Sequence, residues 1–166
     1  MPLRSSYAVF ILILLLSCQE DAVVPVKEPN PLMEYLVDFL KEAEKRGVEI
    51  DTTRLVLELV DNVEYDGVQY CGVGISRSGS RTPTVRISKI GRCWSQQDYY
   101  FKKELLFHEF GHALLARLHD NDTLPNGAKR SIMAQGIYRF FQNETKLVYY
   151  LDELFDPSTP VPDWAK

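Results

Sequence analysis

The chain holds three histidines, His108, His112 and His119, and all fall in one stretch, "FHEFGHALLARLHD", residues 107–120. Imidazole is the commonest protein metal ligand and titrates near neutrality, so this crowding marks a candidate site. "HEFGH", His108–His112, fits the pattern H-E-x-x-H. Residues four apart on a helix share a face, so both imidazoles can address one cation with Glu109 beside them. Such a set suits hydrolysis. The ion polarises a scissile carbonyl, and the carboxylate takes a proton from the attacking water. Glu109 is therefore the candidate catalytic base, and Zn2+ the expected cofactor. The plain alternative is a chance match on an amphipathic helix, which leaves the third histidine unexplained.

His119 imposes a geometric condition. Seven residues beyond His112 return to nearly the same face, but about 10.5 Å further along a straight helix axis. Zinc–nitrogen bonds are only about 2.0–2.1 Å long. Either the chain turns sharply after Leu115 or Ala116 and brings His119 back, or His119 is no ligand. Asp120 is the adjacent substitute, although its simpler reading is a helix-end or loop residue. A glutamate from a later helix, Glu144 or Glu153, is the other candidate; the simpler reading of both is exposed helix charge.

The segment resembles the metzincin metallopeptidases, whose motif is H-E-x-x-H-x-x-G-x-x-H followed by a methionine-containing turn. Here "HEFGHALLARLHD" precedes "SIM", Ser131–Met133. Leu115 stands where that motif has glycine, and the third histidine comes one residue late. Residues 93–136, from Cys93-Trp94 onward, are more similar to small predicted zinc-peptidase lipoproteins of Bacteroidetes. The resemblance implies a zincin-like fold, His108, His112 and His119 as metal ligands, and Met133 packed beneath the imidazoles without binding metal. It also implies a specificity pocket lined by Ala134–Tyr138. Gln135 occupies a position where some metzincins carry a metal-binding tyrosine. An oxyanion role for Tyr138 has no motif behind it.

These groups need a frame to hold them. "PLMEYLVDFLKEAEKRG" has apolar residues at Leu32, Met33, Leu36, Val37, Leu40 and Ala43, the period of an amphipathic helix, with Gly47 at its end. Three strands are expected. "RLVLELV" has Leu55, Leu57 and Leu59 on one side. "VQYCGVGIS" sets Cys71, Val73 and Ile75 against Tyr70, Gly72 and Gly74. "TVRISKI" sets Val85 and Ile87 against Arg86 and Ser88. "SRSGSRTP" is a turn-rich connection. A long helix follows, capped by Ser95 with Asp98. Then come the loop "HDNDTLPNGAKR", a last helix near "NETKLVYYLDELF" and a proline-rich tail. The expected class is α+β: a small mixed sheet, a backing helix, a central zinc-binding helix and a C-terminal helix. Either "YCGVGIS" or "TVRIS" could offer an edge to which an extended peptide adds.

The ends of the sequence bear on location. Arg4 and the apolar run Tyr7–Leu16 suit a signal-peptide core, being too short for a bilayer span of about 20 residues. "LLSC", Leu15–Cys18, resembles a bacterial lipobox, which implies a signal peptide over 1–17 and a lipid anchor through Cys18. Residues 18–31 read as a polar tether, leaving 32–166 as the catalytic domain. A monomer on the outer membrane, facing the periplasm or the outside, is expected, with a peptide or protein substrate. A net charge of −4 without a basic block gives nucleic acid nothing to bind. Cys71 and Cys93 are a candidate disulfide in an oxidising compartment. The chemistry expected is a zinc-dependent endopeptidase. Two alternatives differ in class: a non-catalytic surface lipoprotein with structural zinc, and a zinc hydrolase of cell-wall amides.

Overall fold

A computed structural model describes residues 29–77 and 81–166. The signal-like segment 1–17, the tether up to residue 28 and the middle of the "SRSGSRTP" turn lie outside these. The element order is α1 (Met33–Lys45), β1 (Val56–Val60), β2 (Val63–Tyr65), β3 (Val68–Tyr70), β4 (Gly72–Ile75), β5 (Thr84–Ser88), α2 (Tyr99–Leu115) and α3 (Glu144–Phe155). The protein is thus a small mixed α+β fold with three α-helices and a small sheet. Among the described residues, no helix is long and apolar enough to cross a membrane.

The sheet is ordered β1-β5-β4, with β1 parallel and β4 antiparallel to β5. Its register aligns Leu57 with Val85 and Leu59 with Ile87, and on the other side Gly74 with Val85 and Gly72 with Ile87. The two faces of a strand alternate, so one face runs from leucines through Val85 and Ile87 to glycines. That face meets the helices. It thins to bare backbone at β4, and there α2 comes closest. A Cβ on Gly72 would lie 2.7 Å from Glu109 Oε1, and one on Gly74 would lie 2.2 Å from the Glu109 carbonyl oxygen.

α2 carries the core. Leu105, Leu106, Phe107, Phe110 and Ala113 are all buried, as expected of a helix covered on most sides. Phe39 of α1 wedges among Phe107, Phe110 and Phe155, with ring centroids 5.2, 5.2 and 5.1 Å away. Burying a phenylalanine of this kind stabilises the fold by about 1.5–3 kcal/mol.

Several expectations need correction. The face α1 buries is Leu32, Tyr35, Leu36, Phe39 and Ala43, while Met33 and Val37 stay exposed; the two aromatics rotate the packed stripe. The strand expected over "VQYCGVGIS" breaks at Cys71. β3 pairs with β2 in a separate hairpin, and only β4 joins the sheet. The hairpin turns on Asp66 and Gly67, both at positive φ (51° and 75°), a pairing that suits a two-residue turn between twisted strands. α2 starts later than expected, because Asp98 is itself the cap: its carboxylate accepts from the Phe101 amide at 2.8 Å. The proline-rich tail is not loose throughout. Trp164 packs edge-on to Tyr149, and Ala165 is fully buried.

Candidate metal centre and cleft

α2 ends at Leu115, and Ala116 adopts the left-handed conformation (φ 54°, ψ 28°). The Arg117 amide folds back on the Gly111 carbonyl at 2.9 Å. The chain therefore reverses at the place the His119 condition requires, one residue beyond the metzincin-like glycine position. His119 then returns over the helix. Its ring centroid lies 5.2 Å from that of His108 and 4.7 Å from that of His112.

Hydrogen bonds lace the returning loop to the segment around Met133. The Asp120 amide donates to the Met133 carbonyl at 3.0 Å, and the Gln135 amide donates to Asn121 Oδ1 at 2.9 Å. The Asn121 amide donates in turn to Gln135 Oε1 at 3.2 Å. Met133 is fully buried and sits against Gly111, where a Cβ would lie 2.5 Å from its sulfur. The methionine is thus under the histidine helix, and Gly111 is the residue that admits it.

The three histidines are the only group among the described residues with metal-ligand spacing, their donor atoms all within 4.8 Å of one another. Two are oriented by carbonyls. His108 Nδ1 donates to the Ile132 carbonyl at 2.8 Å, and His112 Nδ1 donates to the Arg117 carbonyl at 2.7 Å. With the proton on Nδ1, each Nε2 presents a lone pair, and the two Nε2 atoms are 3.1 Å apart. Two facing lone pairs repel unless a cation lies between them. Two nitrogens on a tetrahedral zinc would stand about 3.3 Å apart, so the donor set fits that ion. Burial, aided by the other two imidazoles, pushes His108 down to about 4 against the Ile132 carbonyl, and His112 is also lowered by burial. Both are then neutral at physiological pH, the form that binds metal.

Glu109 is buried beside this cluster. Burial raises its carboxyl to about 8, opposed by the Gly74 amide. A cleft of about 650 Å³ opens over the site. It is lined by β4, by α2 with Phe101 and Leu105, by Gln135–Ile137, and by Tyr65, Gln69 and Tyr70 of the hairpin. Cys71 at the hairpin's foot is disulfide-bonded to Cys93.

The substitute ligands lie elsewhere. The carboxylate of Asp120 accepts from the Asp122 amide at 3.0 Å and faces Arg130 at 3.7 Å, a loop role. Glu144 is exposed at the start of α3. Glu153, expected as an exposed charge, is instead fully buried and paired with Arg117 at 2.5 Å. Tyr138 is not among the residues that line the cleft, and its hydroxyl donates to the Gln135 carbonyl at 2.9 Å.

Sequence reasoning missed five contributors. Arg117 holds α3 by donating to the Glu153 and Leu154 carbonyls at 2.6 and 2.7 Å, while its own carbonyl orients His112. Ile132 does the same for His108 through its backbone. Glu104, one turn before His108, is buried and accepts from the amides of Tyr138, Arg139 and Phe140 at 2.5, 3.2 and 2.7 Å. Burial raises its carboxyl, against those three donors, and the bonds fix the end of the wall after Met133. Gly72 and Gly74 let β4 touch Glu109. Only the glycines carried a signal, since "CGVG" is an unusual interior for a strand.

Comparison with known proteins finds no matching family model, no similar curated protein and no similar solved structure.

Proposed function

We propose that the protein is a zinc-dependent endopeptidase of metzincin-like build. One observation carries the reading: three imidazoles converge beside a buried carboxylate, two of them with Nδ1 committed to carbonyls so that their Nε2 lone pairs face each other at 3.1 Å. His108, His112 and His119 would hold the metal. A bound zinc ion supplies Lewis acidity, polarising a carbonyl oxygen and acidifying water. A cation held by the three imidazoles would offset the burial that raises the Glu109 carboxyl and favour its ionised form. That carboxylate accepts a proton from the attacking water and delivers it to the leaving amine. The Gly74 amide hydrogen-bonds that carboxylate.

β4 supports a peptide substrate. "TVRIS" is the central strand β5, which leaves β4 as the free edge on the cleft side. The Ser88 amide donates to the Cys71 carbonyl. By antiparallel alternation Cys71, Val73 and Ile75 therefore bond β5, while Gly72 and Gly74 turn their backbone groups outward. With the Gly74 amide engaged by Glu109, an extended chain can pair with the backbone groups of Gly72 and the Gly74 carbonyl beside it. The Cys71–Cys93 bond accords with an oxidising compartment, in keeping with export and lipidation at Cys18.

The deciding experiment combines metal content of the full chain with hydrolysis of a peptide library. One zinc per chain, lost in His119→Ala, and cleavage lost in Glu109→Gln are expected. Zinc retained with no cleavage of any peptide would leave the structural-zinc alternative, and cleavage of muropeptides alone would leave the cell-wall amidase.

A further inference from the structure

The β2–β3 hairpin has no place in the chemistry above. Its register pairs Val63 with Tyr70 and Tyr65 with Val68, so these four side chains share one face, with Glu64 and Gln69 on the other. Only Val63 is buried; Tyr65 is 66% exposed, Val68 51% and Tyr70 45%. A two-stranded hairpin is marginal in water on its own, and an apolar face this open lacks a partner among the described residues. Tyr65 and Tyr70 also line the cleft.

The hairpin is nevertheless fixed relative to Glu109. Its last residue, Tyr70, is followed directly by Cys71, whose disulfide ties it to the turn before α2. Arg92, next to Cys93, donates to Gln69 at 3.3 Å as a second tie. Gly72 then lies against Glu109. Two residues of strand span about 7 Å, so Tyr70 stands one or two substrate residues from the bond that Glu109 addresses. The chemistry of the cleft is equally definite. Among the described residues its wall contains no lysine, arginine or aspartate, and Glu109 is its one acid. A charged substrate side chain would find no partner there, whereas Phe101, Leu105, Ile137, Tyr65 and Tyr70 offer apolar surface.

We propose that the apolar face of the β2–β3 hairpin is the substrate-selecting wall, and that Tyr65 and Tyr70 grip a neutral peptide bearing an aromatic or large aliphatic side chain within two residues of the cleaved bond. This rests on the endopeptidase reading and names its substrate class. Neither tyrosine touches the reacting atoms; each acts on affinity and choice.

The test uses the full chain with Glu109→Gln and fluorescein-labelled octapeptides that differ only at one central residue: Phe, Leu, Lys or Asp. Fluorescence anisotropy is expected to show the Phe and Leu peptides bound about tenfold or more tighter than the others. Adding Tyr65→Ala and Tyr70→Ala should weaken the Phe peptide about tenfold and flatten the ranking. Tyr65→Phe with Tyr70→Phe should restore both. In the chain that retains Glu109, the alanine pair should raise KM for the Phe peptide with kcat within about twofold. Equal binding of all four peptides, no binding of any, or an unchanged ranking in the alanine pair would overturn the assignment. The two readings separate cleanly. Selective binding without hydrolysis by the parent sinks the peptidase and keeps the hairpin; hydrolysis that ignores the tyrosines does the reverse.

Discussion

The two long walls of the cleft are built on opposite physical terms. The helical wall, α2 with His108, Glu109 and His112, is buried, packed on Phe39 and Met133, and braced by carbonyls of Ile132 and Arg117. The hairpin wall, β2–β3, exposes its large side chains and reaches the fold through a disulfide and a few contacts at its foot. A set of metal ligands must keep its geometry within fractions of an ångström, which only a dense core provides. A wall that selects substrates must instead leave surface open. The contrast teaches where to expect loss of chemistry and where loss of affinity.

Attacks on the helical wall should have the largest effects. Glu109→Gln is expected to lower kcat by about 10²–10⁴-fold, with zinc content unchanged by atomic absorption. Chelation should abolish activity while cooperative melting persists, because the histidine helix is packed in the core and its imidazoles keep their carbonyl partners. Unfolding on chelation would mean that the helical wall depends on metal for its shape, and the contrast would collapse.

Arg117→Met comes next. It leaves Glu153 as an uncompensated buried charge, a situation that costs about 3–5 kcal/mol, and removes the side-chain anchor on α3 that holds in place the backbone carbonyl orienting His112. Urea unfolding should register the loss. Adding Glu153→Met should recover most of the stability but not the metal affinity. Recovery of both would reduce Arg117 to a packing residue.

The hairpin wall should answer more mildly. Replacing Cys71 and Cys93 by serine opens a loop of 22 residues' separation, for which chain entropy gives about 3 kcal/mol. The functional signature should be a higher KM with zinc binding intact; a fall in kcat at constant KM would show that the disulfide serves the catalytic wall. The smallest effect concerns the bend. Ala116 holds a left-handed conformation that glycine adopts freely, so Ala116→Gly should stabilise by up to about 1 kcal/mol. A loss of stability there would mean the turn is shaped by its neighbours alone.

Much of the site was readable because it is local. His108, Glu109 and His112 follow from helix periodicity, and the His119 distance left either a reversal after Leu115 or Ala116 or no ligand role; the chain reverses at Ala116. The expected α+β elements, the Leu57/Leu59 and Val85/Ile87 faces and the buried methionine beneath the helix also follow from pattern or resemblance. Other features left weaker marks. The strand break at Cys71 was hidden because Val68–Ile75 alternates smoothly across it, although Asp66-Gly67 is a hairpin signal. Glu153 read as a surface charge because its partner, Arg117, lies 36 positions away.

What the sequence determined by itself is the set of groups held at one-turn spacing on α2 and the need for a bend after it, since both depend on the pitch of a helix and the length of a bond. The tertiary structure alone decided which carbonyls orient the imidazoles, that Glu104 and Arg117 brace the loops, and that β4 rather than β5 borders the cleft. These depend on contacts between residues remote in the chain, which leave no periodicity behind. Backbone carbonyls, moreover, are the same in every residue, so no amino-acid type announces the ones that matter.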